Sequence, residues 1–208
     1  MSGDAFDVVR QFEREIAIYT GARFAVAVNS CTMALRLAIE WWKLSTGHAC
    51  VCMPSHTYPS VPMQAYHAGL KIEWWHESWR GVYRMAPSYI WDCAKRFTSG
   101  MYVPGSVQCV SFHARKLLPI GQGGAILHDD ELADSWYRRA RFDGRAEGVP
   151  TKDDVYTFAG WHCYMLPEQA ARGLHLMTWY PMHVQDQPMD DYPDMSKAPL
   201  FEGEGGEA

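Results

Sequence analysis

Three short polar stretches in this chain carry the residue types that do chemistry, and each follows an apolar run. Ser111-Phe112-His113-Ala114-Arg115-Lys116 is a basic loop. A lone lysine in such a loop is ordinarily a surface residue. Asp92 closes the apolar Tyr89-Ile90-Trp91. A carboxylate there must meet a cationic partner or a cluster of donors, unless it serves as a turn or cap residue. Ser30-Cys31-Thr32 precedes a helical pattern. Free N–H groups and the helix dipole at that point favour an anion such as phosphate, with an ordinary N-cap as the simpler reading.

Other combinations lead less far. His56, His67, His76 and His113 have no H-E-x-x-H or similar spacing, so no metal site is expected. Gly121-Gln122-Gly123-Gly124 lacks the lysine and serine of a P-loop and reads as a tight turn entering a strand. Trp41-Trp42 and Trp74-Trp75 could stack on bases, but burial or subunit contact is the default for such residues.

The elements that must position these residues alternate. Ala5 to Tyr19 places Phe6, Val9, Phe12, Ile16 and Tyr19 at near-helical spacing, and Gly21 stops the helix. Strands are expected at Phe24 to Val28, Ala49 to Met53, Leu70 to Trp75, Tyr89 to Trp91, Val107 to Phe112 and Ala125 to His128, with helices at Met33 to Trp42, Val61 to His67 and from Asp129 to about Phe142. A last helix, Glu168 to Thr178, has Pro167 in its first turn. Alternating strands and helices predict a mostly parallel mixed α/β sheet sandwiched by helices, with Ala125 to His128 as its antiparallel member. Ligands bind beyond the carboxyl ends of such strands. Ser30, Ser55, Asp92 and Ser111 stand at or just past strand ends, so the topology is expected to bring them to one rim.

Length and composition bound the rest. The 208 residues are 48% apolar and 21% charged, enough for one core and too apolar for a wholly disordered chain. No apolar run reaches the roughly 18 residues of a membrane helix, and Met1 to Arg10 lacks signal-peptide features, so a cytoplasmic protein is expected. The six cysteines form no C-x-x-C pair and read as reduced core thiols. Net charge is −5, but residues 181–208 hold seven acids against one base. The body is therefore nearly neutral and neither demands nor excludes nucleic acid. That acidic, proline-containing stretch is expected to be an extended or disordered tail, with 1–180 as the single domain.

Taken in order, N-S-C-T-M-A-L, P-S-H-T-Y, W-D-C-A-K, S-F-H-A-R-K and G-Q-G-G-A-I-L, followed by G-W-H-C-Y-M-L-P-E-Q-A-A-R-G-L, resemble the DegT/DnrJ/EryC1/StrS sugar-aminotransferase family of fold type I pyridoxal-phosphate enzymes. The resemblance runs from about residue 20 to 178 and implies a PLP-binding large domain over 1–180. It implies pyridoxal 5'-phosphate as cofactor, held by Lys116 as an internal aldimine, with that amine afterwards moving protons at the substrate α-carbon. Asp92 would keep the ring nitrogen protonated and Tyr58 would stack on the ring. Backbone amides of Cys31 and Thr32, the Thr32 hydroxyl and Ser111 would hold the phosphate. Lys95 stands where the family has glutamine or histidine near the cofactor oxygen. His162 and Tyr164 stand where it has asparagine and arginine reaching toward a neighbouring subunit. The family's small carboxyl-terminal domain is expected to be absent, which leaves a more open cleft.

The implied function is amino transfer to a keto sugar or similar bulky substrate, such as a nucleotide-linked sugar, in a homodimer with a shared site. Two alternatives stay open: a PLP-dependent decarboxylase or lyase acting on an amino-acid-like group of a nucleotide or nucleic acid, and a non-catalytic remnant acting as a partner protein. Anionic substrate groups would meet Arg115 or the face formed by Arg138, Arg141 and Arg145, whose simpler reading is a solvated helix surface.

Overall fold

The computed structural model describes residues 4–201. Its first helix, α1 (Asp7–Thr20), is closed by Gly21 in the left-handed conformation, whose N–H donates to Ala17 O. Strand β1 (Phe24–Val28) leads through Ser30 into α2 (Cys31–Thr46). Then come β2 (Cys50–Pro54), α3 (Ser60–His67), β3 (Lys71–Trp75), β4 (Tyr83–Arg84), β5 (Ile90–Cys93), β6 (Val107–Ser111) and β7 (Gly124–His128). Helices α4 (Glu131–Ala140) and α5 (Pro167–Met177) and one 3-10 turn, Met195–Lys197, complete the order.

Five strands form a sheet in the order β1-β7-β6-β5-β4, and β2 pairs with β3 in parallel. β5 and β6 are parallel, whereas β7 runs antiparallel to both β1 and β6, as its glycine-flanked position predicted. The two-residue β4, antiparallel to β5, was not expected from the sequence, being too short to show a period. Just past β4, Ala86 bridges to Cys52 in the antiparallel sense and ties the two sheets together. By direction, β1, β2, β3, β5 and β6 all run one way, with β4 and β7 opposed. This is the expected mostly parallel, mixed arrangement.

Strand period explains the layers. Val26, Val28, Cys109 and Ile126 face α2 and α4. Their neighbours Ala25, Ala27, Val110, Ala125 and Leu127 face α1 and α5. Every residue of β6 and β7 is buried, the pattern of strands covered on both sides. On α1, Val9, Phe12 and Ile16 lie in that second core, and burying each such side chain contributes roughly 1.5–3 kcal/mol. All six cysteines are free thiols.

Two expectations change here. α4 ends at Ala140 instead of near Phe142, so Arg141 and Arg145 do not continue its face. Arg141 is buried beneath α1 and donates to Glu13 Oε1, to Ala27 O at 2.6 Å and to Glu147 Oε1 at 2.5 Å. Arg138 donates to Glu13 Oε2 (2.8 Å) and to Asp134 (2.7 Å), and Arg145 lies over the Phe142 ring. Arg138 and Arg141 are thus neither a solvated face nor a reserve of charge for substrate. Arg138 and Arg141 are consumed by a buried carboxylate that α1 carries on its apolar face.

Residues 181–201 form an extended strap across the body. Arg96 makes two hydrogen bonds from Nε and one from Nη2 to the Asp186 carboxylate, at 2.6–3.1 Å. Gly81, at φ +70°, donates its N–H to Gln187 O (3.0 Å), and a side chain at that glycine would strike the Asp186 carboxylate. Farther on, Met195 donates to Ser55 O (2.8 Å), and Met195 and Phe201 are buried in the α2 core. The acidic stretch builds no core of its own but docks on the core of the body.

Candidate active site

At the carboxyl ends of β1, β5 and β6 lies a cavity of about 700 Å³. It is lined by Ser30, Cys31, Thr32, Tyr58, Asp92, Lys95, Ser111 and Lys116 from the sequence-derived candidates. Ser55 is not among its lining residues. It is buried and shares a hydrogen bond with His76 Nδ1 at 2.9 Å. His162 is also elsewhere, largely exposed, with Nδ1 2.9 Å from Asp143 Oδ2.

One wall is the start of α2. Ser30 caps it in an extended conformation, its Oγ accepting from Met33 N at 3.2 Å. The N–H groups of the first turn beyond the cap have no helical partner and point outward. The Thr32 hydroxyl shares a 2.8 Å hydrogen bond with Ser60 at the start of α3, which adds a second hydroxyl to the same corner. Cys31 turns its thiol inward toward Cys109 O at 3.6 Å. Burial, aided by the nearby Asp92 charge, pushes that thiol well above its ordinary range. What Cys31 offers the cavity is therefore its backbone amide. A Cβ at Gly124 would stand 2.5 Å from Cys31 N and 2.6 Å from Ser30 C, so β7 can support this turn only with glycine there.

The floor carries Asp92. It is 3% exposed, and its Oδ1 accepts from Ala94 N (2.8 Å) while Oδ2 accepts from the Tyr83 hydroxyl (2.8 Å). Tyr83, on β4, in turn shares a 2.7 Å hydrogen bond with Thr57. Burial pushes the Asp92 carboxyl up from 3.8, and the two hydrogen bonds and the Lys116 charge only partly offset it. The arrangement is a buried carboxylate held in one orientation, with its remaining lone pairs available to a donor in the cavity.

Lys116 reaches the cavity from the loop after β6, in a turn where its N–H donates to His113 O at 2.8 Å. Burial lowers its amine below 10.5, and the Lys95 charge lowers it further, against the opposing pull of Asp92. Lys95 is 4% exposed, and its ammonium meets Asp190 Oδ1 of the strap at 2.6 Å. Tyr192 donates to Asp190 Oδ2 (2.9 Å) and stacks on Trp79 at 14°.

Sequence reasoning missed Tyr83, Thr57, Ser60, Asp190 and Tyr192. Thr57 stood within the quoted P-S-H-T-Y and Ser60 two residues after it, and both could have been reached from there. Asp190 and Tyr192 left no local signal, since Lys95 and Trp79 lie in distant segments, and Tyr83 sits on a strand too short to show a period.

The profile of the DegT/DnrJ/EryC1/StrS aminotransferase family matches residues 4–74 and 99–185. Lys116 falls inside those spans, whereas Tyr83, Asp92, Lys95 and the strap from residue 186 fall outside. Among curated proteins, the spore coat polysaccharide biosynthesis protein SpsC of Bacillus subtilis is 43% identical over 61 residues, which is 29% of this chain and 15% of SpsC. Among solved structures, AtS13 from Actinomadura melliaura superposes with a TM-score of 0.74 at 19% identity, over 83% of this chain and 60% of AtS13. The sugar aminotransferase CalS13 from Micromonospora echinospora gives 0.71 at 17% identity, over 84% and 61%. The fold is shared, and the chain spans about 60% of the length of these structures.

Proposed function

This chain belongs to the DegT/DnrJ/EryC1/StrS aminotransferase family, and from that membership we propose that its cavity binds pyridoxal 5'-phosphate and transfers an amino group to a keto sugar or similarly bulky acceptor. The observation that carries this reading is the joint placement of Asp92, Lys116 and the start of α2 around one cavity.

The residues fit the cofactor. Asp92 is a buried carboxylate with two neutral donors and no ion pair among the described residues, so a protonated ring nitrogen would supply the missing cation. The amides of Cys31 and Thr32, with the hydroxyls of Thr32 and Ser111, form an anion cradle at a helix start. Tyr58, 55% exposed, offers its ring from the wall. When bound, the cofactor supplies an aldehyde for covalent attachment and an electron-accepting ring.

The chain's own contributions follow. Asp92 holds the proton at the ring nitrogen, and its hydrogen bonds from Tyr83 and Ala94 fix its direction. Lys116 provides the attaching amine and then takes and returns a proton at the substrate carbon. Its lowered amine makes the neutral, nucleophilic form available below the range of an exposed lysine. Arg115, at the cavity edge, remains as a cation for an anionic acceptor.

Incubating the purified, cofactor-loaded chain with glutamate tests the reaction class. Loss of the visible band and its return on adding a keto acceptor is the expected result. An unresponsive band would rule out amino transfer from this donor. We also place the working unit as a homodimer, because Leu166, Trp179 and Met182 are exposed and pairing would cover such surface. Light scattering is expected to give twice the chain mass, and a cofactor-bearing monomer would contradict this. Among the described residues no helix is long and apolar enough to cross a membrane.

A further inference from the structure

Lys95 presents an ammonium in a place where an ammonium is costly. It is almost wholly buried, it lines the cavity, and its partner is a carboxylate carried by a different part of the chain. That carboxylate, Asp190, has a side chain 59% exposed, and the backbone around it is an arc between two anchors. Before the arc, Asp186 is gripped by Arg96, and Gln187 donates its N–H to Lys95 O at 3.0 Å. After it, Tyr192 O lies 2.9 Å from His56 Nδ1, and Met195 is buried. Between these anchors Asp190 and Asp191 are exposed, and together with Tyr192 they line the cavity mouth. Two well-held ends and an exposed middle are the mechanical requirement for a segment that yields locally without undocking.

A buried ammonium cannot simply lose its counter-ion, because the uncompensated charge would remain desolvated. Only another anion can release Asp190. We propose that Lys95 is the carboxylate-binding residue of this cavity for the amino donor, and that Asp190 holds that position as an internal substitute until the donor's carboxylate replaces it. Both the outgoing and the incoming partner of Lys95 are carboxylates, so the exchange requires neither a new charge nor a change of protonation. The proposal rests on the aminotransferase reading, which supplies an amino acid as the incoming ligand. It assigns Asp190 a role in setting affinity, since every donor must compete with a carboxylate tethered beside its site.

Glutarate, a dicarboxylate without an amine, probes the exchange separately from the chemistry. Calorimetric titration of the purified chain is expected to show weak binding, and Asp190→Asn, which keeps a hydrogen-bonding group but removes the competing charge, is expected to tighten it about tenfold or more. Lys95→Met is expected to abolish binding both alone and combined with Asp190→Asn. Hydrogen exchange on the unmodified chain supplies a measurement that needs no variant: saturating glutarate should speed exchange at 190–192 and leave Met195 unchanged. The proposal is overturned by an Asp190→Asn chain that binds no tighter, by binding that survives Lys95→Met, or by unaltered exchange at 190–192. Covalent labelling of Lys116 with pyridoxal phosphate and borohydride is scored in the same samples. Labelling without the glutarate response removes only this inference, whereas the glutarate response without labelling removes the cofactor reading, and with it the identity of the ligand as an amino donor, while leaving the carboxylate exchange at Lys95.

Discussion

Lys116→Ala is expected to reduce the borohydride-stable pyridoxal phosphate adduct to background, whereas Lys95→Ala retains it. The two amines line the same cavity, so proximity alone does not choose between them. Their environments do. Lys95 is tied to Asp190 at 2.6 Å, and an ammonium held in a charge-assisted hydrogen bond must lose both a proton and a partner before it can attack a carbonyl. Lys116 makes no ion pair among the described residues, and burial together with the Lys95 charge lowers its amine below 10.5. Its neutral form is therefore populated at lower pH. The rate of adduct formation should rise with pH through a midpoint below 10.5, and Lys95→Met should move that midpoint upward by removing a like charge. Mass mapping of the reduced peptide provides the check. A label found on Lys95 in the unaltered chain would reverse the assignment.

The other large effect is on stability and lies away from the cavity. Arg141→Ala should destabilise the fold by about 3–5 kcal/mol, the range for removing one partner of a buried ion pair. Glu13 is 3% exposed and receives Arg141, Arg138 and the Ala27 N–H, the last at 2.8 Å. Without Arg141 its carboxylate keeps one arginine, but Glu147 and Ala27 O also lose donors. Urea unfolding should show the loss, and adding Glu13→Gln should recover part of it, because the buried charge is then gone as well. The acid limb has a definite sign. Burial pushes Glu13 up, but the two arginines outweigh it and leave its carboxyl below the ordinary 4.5. Its contribution is therefore present above pH 4.5 and is lost as pH falls through the lowered folded value. The Arg141→Ala chain should show a shallower decline there. An Arg141→Ala chain as stable as the parent would mean that α1 and α4 are held by apolar packing alone.

What the amino-acid sequence determined by itself is the set of elements and their polar ends. Apolar runs such as Phe24–Val28 and Val107–Ser111 can satisfy their backbone groups only by pairing, and their flanking Asn29, Ser30 and Ser111 mark where each run stops. That information is local, so it survives being read one segment at a time. The same is true of Ser30 as a helix cap, of Pro167 in the first turn of α5, and of the antiparallel β7 behind its glycine turn. The positions of Asp92 near the end of β5, and of Lys116 and Cys31-Thr32 beyond strand ends, were legible for this reason, and the parallel topology then brings them to one cavity.

Only the tertiary structure decided which charges are spent and which are left for a ligand. Arg138 and Arg141 looked available because helical spacing says nothing of Glu13, more than a hundred residues away on another helix. Residues 181–201 looked like a detached acidic stretch because composition counts charges without their partners, while Arg96 and Lys95, just after β5, bind its carboxylates. Tyr83 orients Asp92 from a two-residue strand that has no period to detect. In the first two cases the deciding quantity is an electrostatic partner far away in sequence, and burial makes such a partner obligatory without making it visible along the chain.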